Sequence, residues 1–285
     1  MKGLEGAAGA VTAITGFEKG SGKTTFLNYA LPQVRRAGPV AVFSIGVDGA
    51  LKARGAGAPS PEIRVEQGDV VMTTDVFARS ATASFEILEA LPVRSSLGRL
   101  FLGRALRGGT VTLVGSEHLS VLAEAIAQVR HMGWAASVLV DGAVSRITQV
   151  AALGDLSFAF TARIDRGNLA RVAARIRNLS LLASLPVDPG PGEGVLQLDG
   201  PLGSAQLAGL PEGLQRLSIE DFTKVFLEPS ELERALQRLE ISVRREFRLL
   251  CFAVTLRDVG RPEFLQAVGE SLNDVILFNP YEAAS

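Results

Sequence analysis

The stretch Gly16-Phe17-Glu18-Lys19-Gly20-Ser21-Gly22-Lys23-Thr24-Thr25 decides the fold of this 285-residue chain. It follows an apolar and β-branched run at residues 10–15, which is typical of a buried strand. It precedes a segment with helical spacing that continues to about Arg36, where Gly38-Pro39 ends the helix. Val40–Ile45 is then a second apolar run of strand length. The order strand, loop, helix, strand predicts one right-handed βαβ unit.

The glycine-rich loop has the composition of a phosphate-binding loop. Glycines permit a positive φ and let a phosphate approach the backbone, while the backbone N–H groups and the helix dipole attract the anion. Lys23 is expected to reach the β- and γ-phosphate oxygens of a nucleoside triphosphate, and the Thr24 hydroxyl suits Mg²⁺. The sequence therefore predicts an α/β P-loop NTPase with a mainly parallel sheet flanked by helices. Its predicted ligands are ATP and Mg²⁺.

The predicted site combines this loop with charged residues that follow buried strands. The loop residues predicted to bind the nucleotide are Gly16, Lys19, Gly20, Ser21, Gly22, Lys23, Thr24 and Thr25. Asp141 ends the predicted strand at 137–140, and Asp48 follows Val40–Ile45. Ligands gather at the carboxyl ends of strands in doubly wound sheets, so both aspartates are candidate catalytic residues beside Lys23 and candidate Mg²⁺ ligands with Thr24.

Other interpretations of these charged residues remain open. Asp48 and Asp141 each precede a glycine, and Asp-Gly is also a favoured turn pair. Arg146 lies five residues after Asp141 and is a candidate phosphate contact, with a solvated surface position as the alternative.

One residue of the loop departs from the usual spacing. The first glycine of a phosphate loop normally stands five residues before the position of Gly22, where this chain has Phe17. The nearest glycine is Gly16, one residue earlier. A bulky side chain at that point leaves open a loop of different shape. One hypothesis is therefore a nucleotide-sensing module without turnover.

The rest of the chain divides by composition. Residues 1–185 are predicted to form the nucleotide-binding core, and short β-rich runs with glycine turns at about 60–115 predict an antiparallel extension of it. Residues 186–193 contain three prolines and are predicted to be a linker. Residues 194–285 predict a C-terminal α/β portion. It either continues the first sheet or forms a small second lobe.

Composition and charge exclude several classes of protein. The chain is 47% hydrophobic, has a formal net charge of −1 and shows no electrostatic footprint for nucleic acid or an anionic membrane. Cys251 is the single cysteine and lies in an apolar run, which predicts a buried, inert thiol. No apolar run approaches the roughly 18 residues of a membrane helix, and the N-terminus lacks the pattern of a signal peptide. We expect a soluble, cytoplasmic protein.

With these residues identified, the chain resembles the P-loop subunit of the reactivase of lysine 5,6-aminomutase. That family is similar to a wider class of P-loop proteins that includes dethiobiotin synthetase. The similar stretches follow one order along nearly the whole chain, at residues 16–29, 44–49, 138–146, 219–227 and 278–280. Gly20 and Val47 stand where the family is expected to have asparagine and arginine.

The resemblance implies a function and partners that composition and spacing do not address. It implies an ATPase that acts as a chaperone for an adenosylcobalamin-dependent aminomutase, with nucleotide binding and hydrolysis promoting release of damaged cofactor. It also implies a second reactivase subunit and an oligomeric assembly. The alternative is an ATP-dependent ligase or kinase of the dethiobiotin synthetase type. Such an enzyme would have a pocket near Lys23 and Asp48 for a carboxylate or amine substrate.

Overall fold

The computed structural model describes residues 4–45, 62–95, 97–116, 118–142, 151, 153–190 and 194–280. Within these ranges the chain forms fourteen strands and seven α-helices. The helices are α1 (Lys23–Val34), α2 (Asp75–Ser80), α3 (Leu119–His131), α4 (Leu169–Ala183), α5 (Ser204–Ala208), α6 (Pro229–Leu236) and α7 (Arg261–Val268). The strands are β1 (Val11–Gly16), β2 (Val40–Ser44), β3 (Ile63–Val65), β4 (Val70–Thr74), β5 (Ser84–Ser95), β6 (Gly98–Arg107), β7 (Gly109–Val111), β8 (Ser137–Asp141), β9 (Ser157–Ile164), β10 (Val195–Leu198), β11 (Arg216–Ile219), β12 (Glu240–Val243), β13 (Arg248–Leu256) and β14 (Ile276–Phe278).

A nine-stranded mixed sheet is the largest element of the structure. Its strand order is β14-β13-β9-β1-β8-β2-β4-β6-β5. β1 pairs in parallel with β8 on one side and with β9 on the other, and β2 pairs in parallel with β8 and β4. The last two neighbours, β4–β6 and β6–β5, are antiparallel. The structure therefore confirms an α/β architecture with a large, mostly parallel sheet flanked by helices.

The antiparallel strands lie where the sequence predicts them, within about 60–115. β5 and β6 form a long hairpin, and β3 and β7 form a separate two-stranded antiparallel sheet. α2 follows β4 directly and was not predicted from the sequence. The side chain of Thr74 caps this short helix by accepting a hydrogen bond from the Phe77 N–H at 3.4 Å. Threonine before an aspartate is a common helix start, so this cap is the signal that could have revealed α2.

α1 packs its apolar side on the sheet beside the loop that precedes it. Five of its side chains are buried: Phe26, Leu27, Ala30, Leu31 and Val34. They recur at intervals of three and four residues, so they share one side of the helix. Ile14 of β1 and Leu139 of β8 belong to the same hydrophobic cluster. Burying a large apolar side chain contributes roughly 1.5–3 kcal/mol, and this packing anchors the loop between β1 and α1.

The chain forms two compact units. The first contains residues 1–163, 250–255 and 275–285, and the second contains residues 164–249 and 256–274. The chain passes from the first unit to the second after residue 163, and residues 250–255 and 275–285 belong again to the first unit.

The second unit contains a sheet of its own. β10, β11 and β12 form a three-stranded parallel sheet. The proline-rich stretch adds to it, since Val187 bridges Val243 in parallel and the Asp188 N–H donates to the Val243 carbonyl at 2.8 Å. β13 and β14 instead join the large sheet. Residues after 194 therefore supply two strands of the nine-stranded sheet and all three strands of the smaller parallel sheet.

Candidate functional site

A tight glycine-rich turn connects the end of β1 to the start of α1. Gly16 is the last residue of β1, and Lys23 is the first of α1. Gly20 has φ of +79° and Gly22 has φ of +90°, values in the left-handed region that glycine adopts without strain. Between them, the Ser21 N–H donates to the Glu18 carbonyl at 3.3 Å. The loop thus turns sharply at the carboxyl end of a central strand, as predicted for Gly20 and Gly22.

The N-terminus of α1 offers a binding position for an anion. Its N-cap residue is Gly22, with no side-chain capping bond, and its first turn contains no acidic residue. The first bond across the helix start runs from the Phe26 N–H to the Gly22 carbonyl at 2.9 Å. The N–H groups of the first turn have no acceptor within an α-helix, and the helix dipole makes this end positive. Lys23 and Thr24 are half-buried there, and Thr25 is exposed.

The structure explains why Phe17 occupies the position of the usual glycine. The Phe17 side chain is only 4% exposed, and its ring lies 5.7 Å from that of Phe160 and 6.1 Å from that of Phe252. It is part of an aromatic cluster in the core. Gly16 is where space is limiting, since a Cβ there would overlap the Ser21 hydroxyl and come within 3.2 Å of Cγ of Lys23. Gly16 therefore provides the close approach that the loop requires.

Asp141 lies at the carboxyl edge of the sheet, next to β1. It is in register with Ile14 of β1 and with Ser44 of β2, and it is half-buried. Side chains of residues in register on parallel strands lie on the same face, and residues two apart on one strand also share a face. Ile14 and Leu139 both belong to the cluster that packs on α1. The Asp141 carboxylate is therefore on the face that α1 covers, and Thr24 is the second residue of that helix.

The remaining predicted residues divide into two groups. Lys19 and Gly20 are exposed in the loop, whereas Ser21 is buried. Asp48 and Arg146 lie outside the described residues. In the described ranges, no group of three or more His, Cys, Asp or Glu side chains forms a metal site. A Mg²⁺ ion bound with a nucleotide does not need such a group, because it uses one or two protein ligands together with phosphates and water.

Thr161 of β9 contacts the loop and was not among the site residues predicted from the sequence. Its carbonyl accepts a hydrogen bond from the Phe17 N–H at 3.0 Å, and its hydroxyl lies 2.9 Å from the Ser21 hydroxyl. Thr161 and Ser21 are 140 residues apart in the chain. No local pattern indicates this pair, because a threonine in a strand is an ordinary residue.

Comparison of the chain with models of protein families, with curated proteins and with solved structures found no match. The resemblance described from the sequence is therefore still a prediction. In the part of the chain that the structure describes, no helix combines the length and apolar character needed to cross a membrane.

Proposed function

We propose that this protein is a P-loop ATPase that binds ATP and Mg²⁺ at residues 16–25. The observation that supports this most is the sharp glycine turn at the N-terminus of α1, which has no side-chain cap and has Lys23 as its first helical residue. A strand that leads into such a turn and helix is a common site for phosphate. The position of Asp141 on the α1 face of the neighbouring strand adds a carboxylate at the same edge.

In this proposal the backbone of the loop and three side chains have distinct roles. The backbone of Gly20 to Thr25 and the helix dipole bind the β-phosphate. Lys23 neutralises the charge that develops on the transferred phosphoryl group, and Thr24 and Asp141 hold Mg²⁺ directly or through water. The metal supplies further neutralisation of the phosphate oxygens when it is bound. Asp48 and Arg146 are still candidates from the sequence alone.

Substitution of Lys23 tests the site. Lys23→Ala should weaken binding of Mg-ATP by about 10- to 100-fold, because a charge-assisted hydrogen bond contributes roughly 1.5–3 kcal/mol. The matched control is Lys224→Ala, since Lys224 pairs with Glu220 at 3.5 Å in the second unit. Calorimetric titration with Mg-ATP and thermal unfolding of each variant are the measurements. Unchanged affinity in a folded Lys23→Ala protein would remove the site assignment.

The wider role that we propose is the reactivase role, which the sequence resemblance supports. The chain would use ATP to open an adenosylcobalamin-dependent aminomutase and release damaged cofactor, together with a second reactivase subunit. Affinity capture from the native extract, with and without Mg-ATP, tests this role, and Lys23→Ala serves as the control. Recovery of aminomutase subunits that depends on Mg-ATP is the expected result. A chain captured alone in both conditions would favour the ATP-dependent ligase or kinase, and a screen of small carboxylates and amines would follow.

A further inference from the structure

A single residue of β9 holds both ends of the loop. The Thr161 carbonyl accepts from the N–H of Phe17, the first loop residue, and the Thr161 hydroxyl bonds to the hydroxyl of Ser21, near the last. Both side chains are in the interior, with 0% of Thr161 and 4% of Ser21 exposed. A hydrogen bond between buried hydroxyls is costly to lose, because the remaining group then has no water to replace its partner.

The Thr161 hydroxyl connects the loop with β1 as well as with β9. It lies 2.9 Å from the Ser21 hydroxyl, where either group can donate, and its hydrogen bond to the Thr15 carbonyl has a length of 3.4 Å. Ser21 of the loop is thus attached, through one side chain, to β9 and to the backbone of β1.

The loop needs such an attachment because of its glycines. Gly20 and Gly22 flank Ser21, and both have positive φ. Because glycine has no Cβ, the backbone of this segment has more accessible conformations than one built from other residues. Ordering a permissive backbone costs conformational entropy. Attachment of Ser21 and Phe17 to β9 restricts the loop before any ligand binds. The cost of ordering is then a cost of folding, not of binding.

We propose that Thr161 is a positioning residue of the nucleotide site, holding the loop in the shape that receives the phosphates. The inference rests on the proposed nucleotide function. Thr161 acts through Ser21 and Phe17 and does not touch the ligand. Removing its hydroxyl leaves the buried Ser21 hydroxyl without this partner, so the loop must rearrange and binding of the phosphates must weaken.

Three variants test this inference. Thr161→Val removes the hydroxyl at nearly constant volume, Thr161→Ser retains it, and Thr12→Val is the control. Thr12 is buried in β1 of the same sheet, and its hydroxyl has no hydrogen-bond partner among the described residues. We expect Thr161→Val to weaken Mg-ATP binding on the order of tenfold. Thr161→Ser and Thr12→Val should both bind Mg-ATP as wild type does. A merely structural role would lower thermal stability without changing the dissociation constant.

The outcomes separate this inference from the proposed function. If wild-type protein fails to bind Mg-ATP, the proposed function and the inference are both overturned. If wild type binds and Thr161→Val binds equally well, only the inference is overturned. Ser21→Ala provides an independent check should Thr161→Val fail to fold, since it removes the same bond from the loop side. The double variant Thr161→Val/Ser21→Ala should weaken binding no more than either single change. Additive effects of the two changes would contradict a shared hydrogen bond.

Discussion

Asp141 of β8 lies in register with Ile14 of β1, two residues before that strand ends at Gly16. The Gly142 N–H donates to the Ile14 carbonyl at 2.8 Å, and the Ile45 N–H donates to the Asp141 carbonyl at 3.0 Å. The backbone of Asp141 is therefore held between β1 and β2, and adjacent strands are about 4.8 Å apart. This arrangement places a carboxylate beside the strand that carries the loop.

The role of Asp141 can be tested through the effect of Mg²⁺. Mg²⁺ should raise the affinity of the wild-type protein for ATP. In Asp141→Asn the factor by which Mg²⁺ raises this affinity should be roughly tenfold smaller, because a neutral amide is a weaker ligand for a hard cation. Titration with ATP in Mg²⁺ and in a chelator measures the difference. Asp199→Asn is the control, since the Asp199 side chain is 91% exposed in the second unit. An undiminished effect of Mg²⁺ in Asp141→Asn would contradict the assignment.

Gly16 should not tolerate a side chain. In Gly16→Ala the new Cβ would overlap the Ser21 hydroxyl, so the turn must open. We expect loss of detectable Mg-ATP binding and a lower melting temperature. Gly200→Ala is the matched control, because in the described part of the chain no atom beyond the two adjacent residues lies within 4 Å of a Cβ at that position. Normal binding by Gly16→Ala would show that the closed turn is dispensable.

Restoring the usual loop glycine should harm the protein. Phe17→Gly places glycine at the conventional position but removes a ring that is 4% exposed and packed against Phe160 and Phe252. We expect a loss of about 3–5 kcal/mol in the free energy of unfolding, as for other buried aromatic deletions. Phe226→Gly makes the same change at a side chain that is 67% exposed, and should cost about 1 kcal/mol. Denaturant unfolding compares them, and equal losses would contradict the core position of Phe17.

The Cys251 thiol should react only after unfolding. The side chain is fully buried, and burial raises the pKa of this thiol from 9.0 to about 12. At pH 9 the thiolate fraction of Cys251 in the folded protein should therefore be about 500-fold smaller than that of a thiol with a pKa of 9.0.

Alkylation at pH 9 in buffer and in denaturant measures this difference. The raised pKa also makes the stability of the fold depend on pH. Its stabilising contribution is fully present below pH 9.0 and is lost as the pH rises toward 12. Rapid alkylation of folded protein would contradict a buried Cys251, while a Cys251→Ala variant reports any background labelling.

The order of the elements was largely predictable, whereas their partners were not. The strands at 70–74 and 137–140 are apolar runs bounded by turn residues, and such local patterns predict strands from the sequence. α2 is six residues long, too short to show a helical period, and was missed. The prolines at 186–193 indicated a linker because proline interrupts regular structure, but the backbone of Val187 and Asp188 pairs with β12.

By itself the sequence determined the loop and the start of α1. Positive φ at Gly20 and Gly22 and the helical spacing after Lys23 depend on neighbouring residues, so a local reading is sufficient. Only the tertiary structure brought Asp141 beside Ile14 and attached Ser21 to Thr161, which is 140 residues away. Strand register and neighbour order result from packing over the whole sheet. The residues around a threonine or an aspartate at the end of a strand do not indicate which strand will be its neighbour in the sheet.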